Sequence, residues 1–289
     1  MKILLTGING QVGYELQRSL QGLGEIIALD RRQMDLANLA QVRDVMRAVK
    51  PNLIVNPAAY TAVDKAEDEP ELAMRINGEA PAVMAEEARK LGAAMIHYST
   101  DYVFDGRKTT PYLETDPTCP INVYGATKLA GEQAIQAAGI PHLILRTGWV
   151  YGMRGKNFLL TMLRLAKERA ELRVVSDQNG APTWCRTIAD TTAHIVAQSR
   201  GAPQAQDWWQ EESGIYHLTA QGQTTWFGFT QAILEHAGIA TKPALVAIKT
   251  QEYPLPARRP THSVLSSERL MKTFCGLPDW ENALKLCMT

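Results

Sequence analysis

Tyr124 and Lys128 stand one helical turn apart in Tyr124-Gly125-Ala126-Thr127-Lys128, inside a helix-like run from Asn122 to Ala138 with Pro120 just ahead of it. On a helix these two side chains share a face. A phenol ionises near pH ~10 and is a sluggish acid at neutrality, but a fixed ammonium beside it favours the phenolate and lowers that value. The chemistry expected of such a pair is proton transfer near neutral pH. A tyrosine and a lysine one turn apart are also common on solvated helix faces, so the surrounding elements decide what the pair is for.

Those elements begin at the first residue. Lys2 to Leu5 is an apolar run, followed by Thr6-Gly7-Ile8-Asn9-Gly10-Gln11-Val12-Gly13 and a helical pattern from Tyr14 to Leu20. Gly7 supplies a tight turn, Gly10 lets backbone N–H groups approach a pyrophosphate, and Gly13 lets the helix pack closely on the strand. The spacing is GxxGxxG, placed between strand and helix as a dinucleotide fingerprint requires. A second strand, Glu25 to Asp30, ends in a carboxylate able to accept from adenosine ribose hydroxyls. Arg31 and Arg32 offer charge to a 2′-phosphate, which leaves NAD and NADP both open. Asp35-Leu36 falls where an adenine would lie. Leu53 to Tyr60 is a third buried strand running into small residues, which make room for the nicotinamide half. Val63 to Glu67 reads as a loop, leading past Pro70 into a helix from Glu71 to Lys90 that contains Asn77. The next strand, Ala93 to Tyr98, ends in Ser99-Thr100-Asp101-Tyr102, so hydroxyls sit at the sheet edge where ligands bind in open parallel sheets.

Strands alternating with helices through Thr147 predict an α/β fold, a doubly wound parallel sheet of Rossmann type with a smaller C-terminal substrate domain. Residues 1–150 would bind the dinucleotide. Residues 151–289 would mainly bind substrate, with segments about 157–200 and 214–220 interleaving with the sheet. Residues 201–212 read as a surface loop whose Trp208 and Trp209 have no evident purpose. Lys plus Arg (30) balance Asp plus Glu (30), which removes the electrostatic footprint of a nucleic-acid binder or of a protein lying on anionic membranes. No apolar run of about eighteen residues predicts a membrane span. Cys119, Cys185, Cys275 and Cys287 share no metal-ligand spacing and read as reduced thiols in the cytoplasm. His97, His142, His194 and His217 lie on or beside apolar runs and read as packed rather than liganded.

Thr100, Tyr124 and Lys128, together with the N-terminal glycine loop, resemble the Ser/Thr-Tyr-Lys signature of the short-chain dehydrogenase/reductases, in the extended branch that acts on nucleotide sugars. The stretches 56–67, 97–106 and 177–183, with Arg259-Pro260 and Ser263, resemble the dTDP-4-dehydrorhamnose reductase family over nearly the whole chain. That resemblance implies reduction, with NADPH or NADH, of the C4 ketone of a dTDP-linked 4-keto-6-deoxy sugar for bacterial surface polysaccharide. Tyr124 would deliver the proton, Lys128 would lower the phenol pKa and bond the nicotinamide ribose, and Thr100 would hold the carbonyl oxygen. It further implies that Gly7, Gly10, Gln11, Val12, Gly13, Asp30, Asp35, Leu36, Ala59, Tyr60, Thr61 and Tyr98 line the cofactor. Val63, Thr100, Asp101, Tyr102 and Trp149 would face the sugar, with Arg259 the best cation for the diphosphate and Asn157 a weaker contact. Some members dimerise through a magnesium ion held by acidic side chains. Here Glu15 is present but Arg186 stands where the second carboxylate belongs, so a monomer or a weak homodimer without bridging metal is expected. A related epimerase or dehydratase is the first alternative, disfavoured because Asp101-Tyr102 rather than a carboxylate pair follows Thr100. A non-catalytic dinucleotide-binding regulatory subunit is the second, and the intact Thr100, Tyr124 and Lys128 argue against it.

Overall fold

The computed structural model describes residues 1–239 and 242–289. Its first half runs β1 Lys2–Leu5, α1 Gln11–Ser19, β2 Glu25–Ala28, α2 Leu39–Val49, β3 Leu53–Asn56, α3 Val63–Asp68, α4 Pro70–Met74, α5 Ala80–Leu91, β4 Ala94–Thr100, α6 Val123–Ala137 and β5 His142–Thr147. The second half continues with β6 Val150–Tyr151, α7 Phe158–Glu168, β7 Glu171–Val175, β8 Asn179–Gly180, β9 Thr183–Trp184, α8 Cys185–Gly201, α9 Ala205–Glu211 and β10 Gly214–His217. It closes with β11 Thr224–Thr225, α10 Trp226–His236, β12 Ala244–Ile248, α11 Glu268–Thr273 and α12 Trp280–Met288.

The main sheet has the order β10-β5-β4-β3-β1-β2, with every pairing parallel. β3 and β4 are buried along their whole length, which is why they read as unbroken apolar runs rather than alternating ones. One face packs on α1 and α8, the other on α2, α5 and α6. From β1 the chain winds outward to β2 and then returns across to β3, so the strand order reverses between β1 and β3. Parallel doubly wound sheets carry their ligand cleft at that reversal. A third core, away from the sheet, joins α7, α10 and α12 to the β7/β12 pair. The expected interleaving is therefore carried by α8 and β10, while α7 packs with the outer core.

The glycine loop is fixed by contact. A Cβ on Gly13 would lie 2.2 Å from the Gly7 carbonyl oxygen, and Gly7 itself holds φ +61. No L side chain satisfies both, so the start of α1 can sit directly over the end of β1 only with these residues.

Three local expectations are corrected. Val63 to Glu67 is not a loop but lies within α3. The helix expected over Glu71 to Lys90 is broken by a π-turn at Arg75–Glu79, which turns Asn77 inward. Residues 201–212 are not a surface loop, because Gly201 closes α8 and α9 follows. The two tryptophans hold α9 down. Trp209 is buried in the sheet core and Trp208 packs edge-on against it, with ring centroids 5.0 Å apart, and against Phe274. Helix α2 was not anticipated, although Asn38 accepting from the Gln41 N–H is an ordinary N-cap ahead of an amphipathic run.

Candidate active site

A cleft of about 530 Å³ opens along the reversal point. Its floor is the glycine loop and its walls are the segment after β3, the end of β4 and the first turns of α6. Of the cofactor residues expected, Gly7, Gly10, Gln11, Val12, Gly13, Asp35, Leu36, Ala59, Thr61, Tyr98, Tyr124 and Lys128 line it, and Arg31 joins them. Asp30 and Tyr60 do not. Asp30 Oδ1 accepts the N–H groups of Arg32 (2.9 Å) and Gln33 (3.1 Å), so one carboxylate oxygen organises its own turn. The Tyr60 phenol donates to Glu69 at 2.6 Å, while its backbone N–H and carbonyl are both held by the Asn77 amide. Burial and Glu69 push that phenol up to about 12. The Asn77 amide also donates to Thr127, tying the cleft wall to α6.

Helix α6 brings the catalytic candidates together. Asn122 caps it by accepting from the Gly125 N–H at 2.7 Å, and a Cβ on Gly125 would lie 2.1 Å from the Tyr102 carbonyl oxygen. That close approach seats the first turn of α6 on the turn that follows β4, and Tyr124 comes to rest edge-on against Tyr102 with centroids 6.0 Å apart. Thr100 ends β4. Its hydroxyl donates to Asp101 Oδ1 at 3.0 Å and accepts the Tyr102 N–H at 3.1 Å. Tyr124 and Lys128 thus line the cleft, and the Thr100 hydroxyl lies beside the Tyr124 phenol without itself lining it.

Electrostatics there run against the expectation for Tyr124. Burial pushes the phenol up to about 12; the Thr100 hydroxyl draws it down and Asp101 raises it further. Among the described residues no hydrogen bond joins Lys128 to it. The Lys128 ammonium instead donates to the Tyr98 carbonyl at 2.5 Å and lies 3.2 Å from His97 Nε2. Burial pushes Lys128 down to about 8, with Glu132 opposing. The expected depression of the phenol is therefore reversed: desolvation outweighs an ammonium that spends its bonds elsewhere.

Asp101 is buried, with Oδ2 unpartnered, and burial pushes its carboxyl up to about 6 while the Ser263 and Thr100 hydroxyls hold it lower than burial alone would. Tyr102 is driven up by burial. Arg259 and Asp64 form a bidentate pair at 2.5 and 2.6 Å, so the carboxylate compensates the Arg259 charge and the pair fixes the start of α3, where Val63 lies. Trp149 holds φ +50 and lies flat on Trp226 at 3.5 Å, so one of its faces is already covered. Gly180 makes that possible, since a Cβ there would be 2.3 Å from the Trp149 indole. Asn157 caps α7 through the Leu160 N–H (3.0 Å) and donates to Gln11 Oε1 (2.8 Å); this amide positions the cleft floor.

Several contributors had no role in the sequence reading. Trp226 follows two threonines without any motif to mark it. Glu132 stands one turn after Lys128, and the α6 periodicity signalled it. The hydroxyls of Ser99 and Thr147 line the cleft, buried and without partners. Orphaned hydroxyls at the sheet edge, beside a glycine cradle that a Cβ would fill, suit an extended ligand with its own polar groups.

The full chain, residues 1–289, matches the family model described as RmlD substrate binding domain. It is similar to the dTDP-4-dehydrorhamnose reductase of Burkholderia thailandensis, at 50% identity over 100% of this chain and 98% of that protein. It is also similar to the one of Escherichia coli K12, at 48% identity over 99% of this chain and 96% of that protein. Among solved structures, dTDP-4-dehydrorhamnose reductase of Bacillus anthracis in complex with NADP superposes with a TM-score of 0.90 at 35% identity, covering 99% of this chain and 98% of that one.

Proposed function

The chain belongs to the dTDP-4-dehydrorhamnose reductase family, and from that premise we propose how its residues reduce dTDP-4-dehydro-L-rhamnose at C4 to dTDP-L-rhamnose, with NADPH or NADH, for surface polysaccharide. The observation that supports the reading is Tyr124 and Lys128 on the wall of the glycine-loop cleft with the Thr100 hydroxyl beside the phenol. Reduced nicotinamide, when bound, supplies the hydride to C4. Tyr124 stays protonated up to about 12 and hands its proton to the oxygen that becomes the alcohol. Thr100 fixes that oxygen, redirecting a hydroxyl now spent on Asp101. Asp101, half-titrated at about 6, donates to a sugar hydroxyl below that pH and accepts from one above it. Residues 1–150 serve the cofactor. Residues 151–289 mainly serve the sugar nucleotide, with Trp149 offering its uncovered face.

The test is consumption of reduced nicotinamide in the presence of the dTDP-4-keto sugar, with product identification. dTDP-L-rhamnose is expected. A product that keeps the ketone would favour an epimerase, and tight cofactor binding without turnover would favour a regulatory subunit.

Arg31 lines the cleft beside Asp35, 3.5 Å away, and is the cation placed to meet a 2′-phosphate. Because its side chain is exposed, Arg31→Ala is expected to weaken NADPH roughly three- to ten-fold relative to NADH. An unchanged ratio of the two KM values would remove Arg31 from cofactor choice. We read the protein as cytoplasmic, in keeping with its four unpaired cysteines, and no described helix is long and apolar enough to cross a membrane. Arg186 lies 3.7 Å from Asp190 one turn on and brings a cation, not a carboxylate, to the start of α8. Sedimentation as a monomer or weak homodimer, unchanged by chelator, is expected.

A further inference from the structure

Behind Lys128, on the side away from the cleft, lies a polar chain that the reductase reading does not use. His97, wholly buried on β4, stands between Lys128 Nζ, 3.2 Å from Nε2, and the Asn56 amide, 3.1 Å from Nδ1. Asn56 in turn meets the Thr6 hydroxyl at 2.6 Å, at the foot of the glycine loop. A neutral imidazole has one donor nitrogen and one acceptor. An ammonium offers donors only, so a charged Lys128 requires Nε2 to accept and leaves the hydrogen on Nδ1. As placed, the Thr6 hydroxyl donates to Asn56 Oδ1 and the Asn56 amide nitrogen faces Nδ1, so the Nδ1–H tautomer requires the amide turned end for end, its oxygen accepting from Nδ1–H and its nitrogen donating to the Thr6 oxygen.

We propose that His97 is a positioning residue for the reduction: its Nε2 holds the Lys128 ammonium, with the Tyr98 carbonyl taking a second N–H and the third left for the cleft, and the Asn56 amide turns its oxygen to Nδ1–H to complete the tautomer this requires. The inference rests on the reductase reading for its effect on rate, though not for its geometry. A buried lysine leans towards the neutral amine. An acceptor lone pair bonds the ammonium more strongly than the neutral amine, so it opposes that tendency and keeps the ammonium present at working pH. His97 cannot compete for the proton, because burial and the Lys128 charge hold it well below the usual histidine range. The other charged and titratable groups around the pair are Glu132 and Tyr124 on α6, Arg146 on β5 and Asp101 beside Tyr124. No hydrogen bond or ion pair joins any of these to Lys128 Nζ among the described residues.

Three measurements test it. In His97→Leu the charged form loses its acceptor, so the basic limb of the kcat profile is expected to move down by about one pH unit or more, with KM for the sugar unchanged. His97→Gln returns an amide oxygen to the same region and is expected to hold the limb within a few tenths of its original place. A limb that stays put in His97→Leu, with only thermal stability lost, would reduce His97 to packing and overturn the proposal. The third measurement uses the unmutated protein: nitrogen NMR of labelled histidine should find His97 as the Nδ1–H tautomer at neutral pH, and an Nε2–H tautomer there would overturn the proposal outright. Because the tautomer is read without substrate, it judges His97 even if the reductase assay fails.

Discussion

Tyr124→Phe is expected to lower kcat for sugar reduction by about 10²- to 10⁴-fold while leaving NADPH affinity within about two-fold. The substitution removes one hydroxyl and no packing, since the ring keeps its edge-on contact with Tyr102 and the helix keeps its Asn122 cap. The sign of the pH dependence follows from the shifts. Reduction needs a phenol that still holds its proton, and burial pushing Tyr124 up to about 12 secures that form across the working range. The titration that matters lies at Lys128, pushed down to about 8: its ammonium is complete well below that value and is lost as pH rises through it. The reduction rate should therefore fall on the alkaline side from about 8. Absorbance of reduced nicotinamide gives the rate and fluorescence titration the affinity. A Phe variant retaining more than a tenth of the rate would move the proton donor elsewhere, to Asp101 first.

That reversal at Tyr124 marks the boundary of what the residue order can reveal. The glycine loop was legible because its cause is local: Gly7 and Gly13 are covalently close and their contact admits no side chain. β3 and β4 were legible because strands covered on both faces must be apolar throughout. The convergence of Thr100 with Tyr124 followed from a general property of parallel sheets, whose strand ends share one edge. What escaped were quantities set by partners distant in the chain. Arg259 was read as a cation for the diphosphate without sign of Asp64, 195 positions away, which takes a bond from each of its terminal nitrogens. Trp149 looked free to stack on a sugar until Trp226 covered one face, and Trp208 and Trp209 looked aimless until Phe274 arrived from the C-terminal segment. The phenol pKa belongs to the same class. Spacing placed the ammonium near it, but burial and the competing Tyr98 carbonyl decided the sign.

A second large effect is expected one turn beyond Lys128. Glu132 and Arg146 are both almost fully buried and pair through three contacts, Nε to Oε1 at 3.0 Å and to Oε2 at 3.3 Å and Nη2 to Oε2 at 2.7 Å, with the guanidinium over the Phe104 ring. Nη1 has no partner among the described residues. Glu132→Gln keeps the shape but leaves an uncompensated buried cation, which costs about 3–5 kcal/mol. That is a large part of the ~5–15 kcal/mol holding a typical domain together. His217, beside Arg146 on β10, offers no relief: burial and the Arg146 charge push it down to about 3, so it stays neutral and supplies no counter-charge. The double variant Glu132→Gln, Arg146→Met removes the stranded charge and should recover most of the loss, since apolar groups of similar volume often replace a buried pair without penalty. Denaturant unfolding of the two singles and the double gives the coupling directly; a Glu132→Gln loss below about 1 kcal/mol would mean the guanidinium finds another partner or water. Lys128 supplies an independent readout. Glu132 is the group holding its pKa up against burial, so the double variant, though refolded in stability, should lose its ammonium at lower pH than the native enzyme. Restored stability with an unrestored alkaline limb would separate what the pair does for the fold from what its carboxylate does for the proton.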